Sequence, residues 1–564
     1  MFVRLLTRAA LGAIVLTGLV APATSATMFS VNSPSITGSY LAGQQALKDL
    51  STQDAARFFR QAAEANWSDP ELVERAFVAL AANGDIDRAA SAAKHLLELD
   101  RGNELASLVI ATQALKERRY GAAINDLEQL GTDNFAGITG SILRAWAYTG
   151  DNRVDQAFKM LDDAAGDGLA DFLVFHRALM AEVAGRSEES IDLARQAYET
   201  DPGVARIVEA YARMLGNAGR FDEAIDVVVQ YEAQGLTHPL VDVVKKALAD
   251  KARPGMFVGS VQSGAAEMYH GIAVALARDG TMDISIVFLR LSLYLDPNTD
   301  VVALVLGQLL DGAGRHDAAN ALYDGIAANS PMKPTAVVRI AQNLDASGDR
   351  KEAIRRLSNI VSISPNDLDA VSVLGDLLRY DSQFAAAADT YSKALAIAGG
   401  DRPADWRFYY VRGIALERDG RWKEAEPDFI KALELNPDQP QVLNYLGYTW
   451  VDQGVNLDRA LDMIQRAVQA QPTDGYIVDS LGWAFYKLGR VEEAVQVLEQ
   501  AVQLKPNDPE INDHLGDAYW QAGRKLEAKF QWNIASSVDE EGAVKKRVEP
   551  KLANGIESLP TAVQ

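Results

Sequence analysis

The stretch 475–508 reads GYIVDSLGWAFYKLGRVEEAVQVLEQAVQLKPND, and 509–542 reads PEINDHLGDAYWQAGRKLEAKFQWNIASSVDEEG. Both are 34 residues long and align place for place without a gap. A Leu-Gly pair stands at the seventh and eighth places (Leu481-Gly482, Leu515-Gly516), and an aromatic at the eleventh (Phe485, Tyr519). Alanine fills the twentieth (Ala494, Ala528) and the twenty-seventh (Ala501, Ala535). A unit of this length holds two helices and cannot bury its own apolar face, so neighbouring units must stack. Small residues at places 8, 20 and 27 let antiparallel helices approach closely, and large ones at 4, 7, 11 and 24 fill the gaps between them. Gly489 and Gly523 fall where the first helix must end. Pro506 stops a second helix and opens the next unit.

This pattern resembles the tetratricopeptide repeat, whose period it shares. Further units step back to starts near 440, 406, 368, 334, 300 and 266, and then, more worn, near 205, 171, 138, 104, 70 and 36. The 440 unit carries one extra residue in its turn, around Val455-Asn456, and a spacer from Gly399 to Asp405 precedes the 406 unit. The expected fold class is all-α: a right-handed superhelical solenoid of stacked helix pairs, with first helices on the inner wall and second helices outside. The expected arms run over 36–238 and 266–542. A capping helix and polar tail follow at 543–564. Between the arms, at 239–265, the register breaks. The segment KARPGMFVGSVQSG, with Pro254, Gly255, Gly259 and Gly264, reads either as a hinge or as a degenerate repeat that still stacks.

Residues 1–26 have the layout of a secretory signal peptide. Arg4 and Arg8 precede an apolar run from Ala9 to Val20, Pro22 breaks it, and small residues lead to Ala26. Cleavage after Ala26, with Thr24 at −3, fits best; cleavage after Ala23, with Ala21 at −3, is the alternative. Residues 27–35 then form a linker. No later stretch is apolar enough to span a bilayer, so the mature chain is expected to lack a transmembrane span. The expected location is the periplasm of a Gram-negative bacterium, with peripheral association to the outer membrane. The chain has no cysteine, which excludes disulfides, thiolate zinc sites and the lipidated cysteine of a bacterial lipoprotein. The protein is therefore not expected to be lipid-anchored. A net charge of −22 disfavours nucleic acid as a partner.

No catalytic, cofactor-binding or metal-binding residue emerges. The histidines, at 95, 176, 238, 270, 316 and 514, have no ligand spacing on one helix, and no phosphate- or dinucleotide-binding glycine pattern is present. Nearly all the chain is used by repeats, so no enzyme and no cofactor is expected. In the resembled family, places 2, 5, 9, 12 and 13 of first helices line the concave wall. Carried onto the last three units, they give the candidate protein-binding residues Asn444, Tyr448, Asp479, Trp483, Tyr486, Asp513, Asp517 and Trp520. This wall is aromatic and acidic, so its expected guest is a protein segment with apolar anchors and some positive charge.

The run NYLGYTWVDQGVNLDRALDMIQRAVQAQPTDGYIVDSLGWAFYKLGR resembles one found in large proteobacterial envelope repeat proteins. One branch of these acts as outer-membrane adaptors that bring cell-wall hydrolases to a carboxyl-terminal processing protease. The resemblance implies a periplasmic scaffold or adaptor whose partners are a protease and its substrates. The alternative is an accessory component of exopolysaccharide or envelope export. Oligomeric state is not legible in the sequence.

Overall fold

The computed structural model describes residues 35–130, 135–164, 170–540 and 542–556. The expected signal peptide and most of the linker lie outside the described residues. Those residues form thirty α-helices and no strand. The fold class read from the repeat, an all-α array of stacked helix pairs, is the one observed.

The local rules work as the spacing predicts. Gly482 sits so close to the second helix of its pair that an added Cβ would lie 2.5 Å from Leu498 Cγ, and at Gly516 the same atom would lie 2.4 Å from Trp532. Ala494, Ala501, Ala528 and Ala535 are wholly buried. Asp474 and Asp508 cap the next first helices by accepting from the backbone N–H groups of Ile477 and Ile511. The extra residue of the 440 unit is absorbed by two left-handed residues, Gly454 (φ 70°) and Asn456 (φ 51°). The 399–405 spacer turns through Gly399 and Gly400 into a short 3-10 turn, Pro403–Asp405, held by Arg402 on the buried Asp405.

The chain divides into two compact units, residues 1–343 and 344–564. This boundary is not the one expected at 239–265, which lies inside the first unit. There Pro239–Ala249 is a lone helix packed on Ala205–Asn217 and Phe221–Ala233, half a pair without its partner. The irregular residues after it are tied down. Arg213 donates to the Pro254 carbonyl at 2.6 Å, Gly255 N–H donates to Asn217 Oδ1 at 3.1 Å, and Val258 is buried. The Arg206 guanidinium lies 4.2 Å over the Phe257 ring. A Pro/Gly cluster signals a change of direction, and the sequence alone does not show whether that bend is anchored.

The change of direction has a large consequence in the first unit. The hairpin made by Val261–Arg278 and Met282–Leu295 does not only continue the stack. It packs against the first helices Pro70–Asn83, Glu104–Lys116, Phe135–Gly150 and Ala170–Val183. Tyr269 and Thr112 share a hydroxyl hydrogen bond at 2.6 Å, Lys116 donates to the Leu295 carbonyl at 3.0 Å, and Arg290 donates to the Ala82 carbonyl at 3.2 Å. Trp146 covers Gly264, where an added Cβ would fall 2.0 Å from the indole. A buried ion cluster locks the seam: Arg206 grips Glu267 at 2.6 and 3.0 Å and also reaches Glu209 at 3.0 Å. Ser285 and Ser292, where the repeat prefers alanine, donate to the facing carbonyls of Ala273 and Ala266.

Candidate protein-docking groove

In the second unit, three first helices stand side by side: Pro440–Gln453, Gly475–Lys487 and Pro509–Gln521. Each places its fifth and ninth residues on one wall, because i and i+4 share a helix face. Together with the terminal helix Ala543–Asn554 they enclose an open cavity of about 530 Å³. Six of the expected residues line it: Asn444, Tyr448, Asp479, Trp483, Asp513 and Asp517. Tyr445, Asp452, Tyr476, Ser480, Glu510, His514, Arg547 and Lys551 complete the lining.

Two expected residues are not on this wall. Tyr486 is buried behind Trp483, with ring centroids 4.8 Å apart and planes nearly parallel. Trp520 packs on Trp532 at 5.4 Å and donates its Nε1–H to the Ile556 carbonyl at 3.0 Å. The chain's own end therefore covers Trp520. It belongs to the cluster of Trp532, Val544 and Val548 that docks the terminal helix. Place 12 is turned away from the groove in the two preceding units as well, where Val451 and Tyr486 are buried; in the last repeat the same place meets the cap.

The three aspartates expected to attract a guest are also spoken for. Asp479 is 7% exposed and both its oxygens face His514 Nδ1, at 2.9 and 3.0 Å. Asp513 is 1% exposed and accepts from Arg547 and Lys551, each at 2.7 Å. Asp517 accepts from Lys551 and from Trp532 Nε1. Burial works against charge on the His514 imidazole, but Asp479, with Glu510 and Asp513 behind it, outweighs it, so the pKa lies above the ordinary histidine value. Burial and the neighbouring Asp513 push the Asp517 carboxyl up, against Lys551.

The cations that the acidic wall called for are thus supplied in cis, by His514 and the terminal helix. Sequence reasoning missed Arg547 and Lys551. Their spacing of four residues puts both on one helix face, which is a legible signal, but which wall that face meets is not. The acids left in contact with solvent are Asp452, with a side chain 58% exposed, and Glu510, 50% exposed. Among the described residues no group of three or more His, Asp or Glu side chains is arranged to hold a metal ion.

Comparison with known proteins places a family on part of this chain. Tetratricopeptide-repeat models match residues 372–440 and 410–475, and a further TPR repeat model matches 482–523. A TPR repeat-containing protein of Pseudomonas aeruginosa is 32% identical over 92 residues, 16% of each chain. The human protein O-mannosyl-transferase TMTC1 is 27% identical over 188 residues, 33% of this chain and 21% of that protein. The match thus spans about a fifth or less of these curated relatives. Among solved structures, the APC/C hetero-tetramer Cut9-Hcn1 aligns over 92% of this chain and 96% of its own, at 15% identity and a TM-score of 0.38. The chain carries tetratricopeptide repeats, and the aromatic and acidic cavity lies largely within the stretch that the models match.

Proposed function

We propose that the protein is a non-enzymatic, protein-binding scaffold whose docking site is the groove of the second unit. One observation carries this reading: an open cavity lined by aromatic and acidic side chains from three successive first helices. Aromatic walls give contact area at low entropic cost, and they suit a protein segment better than a small polar substrate. The N-terminal sequence supports a periplasmic location, with the scaffold acting as an adaptor that brings proteins to an envelope protease. Wild-type protein and a Trp483→Ala, Tyr448→Leu variant, both checked for folding, would be used to capture partners from an envelope extract for mass spectrometry. Partners retained by the wild type and lost by the variant are expected. Equal capture by both would move the docking site away from this groove.

A further inference from the structure

The second helix of the last pair, Lys525–Val538, departs from the surface pattern of its neighbours. It buries Ala528, Trp532 and Ala535. On another face Lys525, Leu526, Lys529 and Phe530 stand together, because i and i+4 share a helix face. All four are exposed. Leu526, at 78%, and Phe530, at 69%, are the most exposed large apolar side chains among the described residues. The same two places hold Glu492 and Gln496 one unit earlier, and Asp458 and Asp462 two units earlier, all exposed. Lys529 in turn replaces Val495, which is buried in the cluster that joins its unit to the next.

Charge also changes sign at this end of a chain whose net charge is −22. The helices KLEAKFQWNIASSV and AVKKRVEPKLAN hold six lysines and arginines against two glutamates. Of these, Arg547 and Lys551 are spent on the groove acids, and Glu527 is paired with Arg524 at 3.1 Å. Neither Lys525 nor Lys529 has a carboxylate partner among the described residues. Asp539 follows the helix about 13 Å beyond Phe530, at about 1.5 Å of axis per residue. That is outside the screening length of about 8 Å at physiological ionic strength.

We propose that this face is a membrane-surface contact: Leu526 and Phe530 enter the interface of an anionic bilayer while Lys525 and Lys529 meet its phosphate headgroups. Leu and Phe beside lysines are what an interfacial helix presents, and lysine stems lie along an apolar layer with their charged heads in water. The two apolar side chains protrude, so a protein partner would have to bring a pocket for them. A bilayer interface accepts protruding side chains of any shape. A second copy docked antiparallel about a twofold axis would set lysines against lysines. The contact is separate from the groove and does not depend on what the groove binds.

The test uses the chain from Thr27, which contains every described residue and omits the apolar run Ala9–Val20. Partition is measured by sedimentation with vesicles of phosphatidylglycerol, which are anionic, or of phosphatidylcholine, which are not. Wild type should favour the anionic vesicles. Lys525→Gln with Lys529→Gln should lower that partition about tenfold or more. Leu526→Ser with Phe530→Ser should lower it about tenfold or more as well. All four positions are exposed, so circular dichroism of the variants should match wild type. The chain has no cysteine, so Phe530→Cys gives one attachment point for a polarity-sensitive dye. Its emission should shift to the blue on anionic vesicles, and a dye at Gln496→Cys should not respond. Wild type and the Leu526→Ser, Phe530→Ser variant partitioning equally, or wild type failing to bind the anionic vesicles, would overturn the proposal. A blue shift at position 530 that follows protein concentration without lipid would overturn it in favour of a second copy.

Discussion

The two units are made of the same helix pairs, yet they treat the wall built by their first helices in opposite ways. In the first unit that wall is covered by the chain's own 261–295 hairpin and locked by Arg206, Glu267 and Glu209. In the second unit the terminal helix covers only one end, and an open cavity remains. The contrast teaches that a repeat array becomes a receptor only where the chain leaves it uncovered. First helices build a wall in both units; the direction of the chain after residue 250 decides that the first unit's wall is covered.

The largest expected effect tests the lock. Arg206→Met should strand Glu267, which is buried and whose carboxyl is held well below the ordinary range. Burial alone would raise that carboxyl, and Arg206 together with His270 more than reverses it. Breaking such a pair costs about 3–5 kcal/mol. Denaturant unfolding should show the loss in the first unit, with the second unchanged. An unchanged first transition would mean that the hairpin is not locked there.

Trp520→Ala sharpens the comparison at the other end. It should lower the stability of the second unit by about 2–3 kcal/mol, because it undoes the cap, and leave partner affinity unchanged in protein that folds. Trp483→Ala should do the reverse, losing about 2 kcal/mol of binding. An affinity loss in Trp520→Ala would return that side chain to the groove.

Ala494→Leu should overpack the seam between paired helices and cost about 1–3 kcal/mol, confined to the second unit. Unfolding that is unaffected by this change would mean the repeat places are misassigned.

The smallest effect is a difference in pH response between two buried histidines. His176 has no hydrogen-bond partner for either ring nitrogen and sits among Trp146, Phe172 and Phe175. Burial pushes its pKa down to about 4, with Glu267 opposing. Its contribution is present in full above the unfolded value of about 6.5 and fades as pH falls towards 4, at roughly 1 kcal/mol per unit. His514 works the other way. Its contribution is complete below about 6.5 and fades as pH rises through its elevated folded value. Glu182 must be neutralised first, since burial raises it to about 7 and it loses stability as pH rises from about 4.5. In a Glu182→Gln background, lowering pH from 7.5 to 5.5 should weaken the first unit and strengthen the second. A shift of the same sign in both would remove the contrast.

The sequence by itself determined the helix pairs and how each pair closes. A small residue at place 8 facing a large one at place 24 is a contact within one unit, as Gly516 and Trp532 are, and its spacing is written in a single 34-residue window. The same holds for the 399–405 spacer and the extra residue before Leu457. Position in the family pattern also found most of the groove, since Asn444, Tyr448, Asp479 and Trp483 need only their own helices to reach it. Tertiary structure alone decided what covers each wall. Thr112 meets Tyr269 and Ala82 meets Arg290 across more than a hundred residues of chain, and the acids at 513 and 517 are neutralised by side chains at 547 and 551. Periodicity encodes which face of a helix is apolar or charged. It does not encode which distant segment comes to lie on that face, because this depends on the direction the chain takes after each break in the repeat.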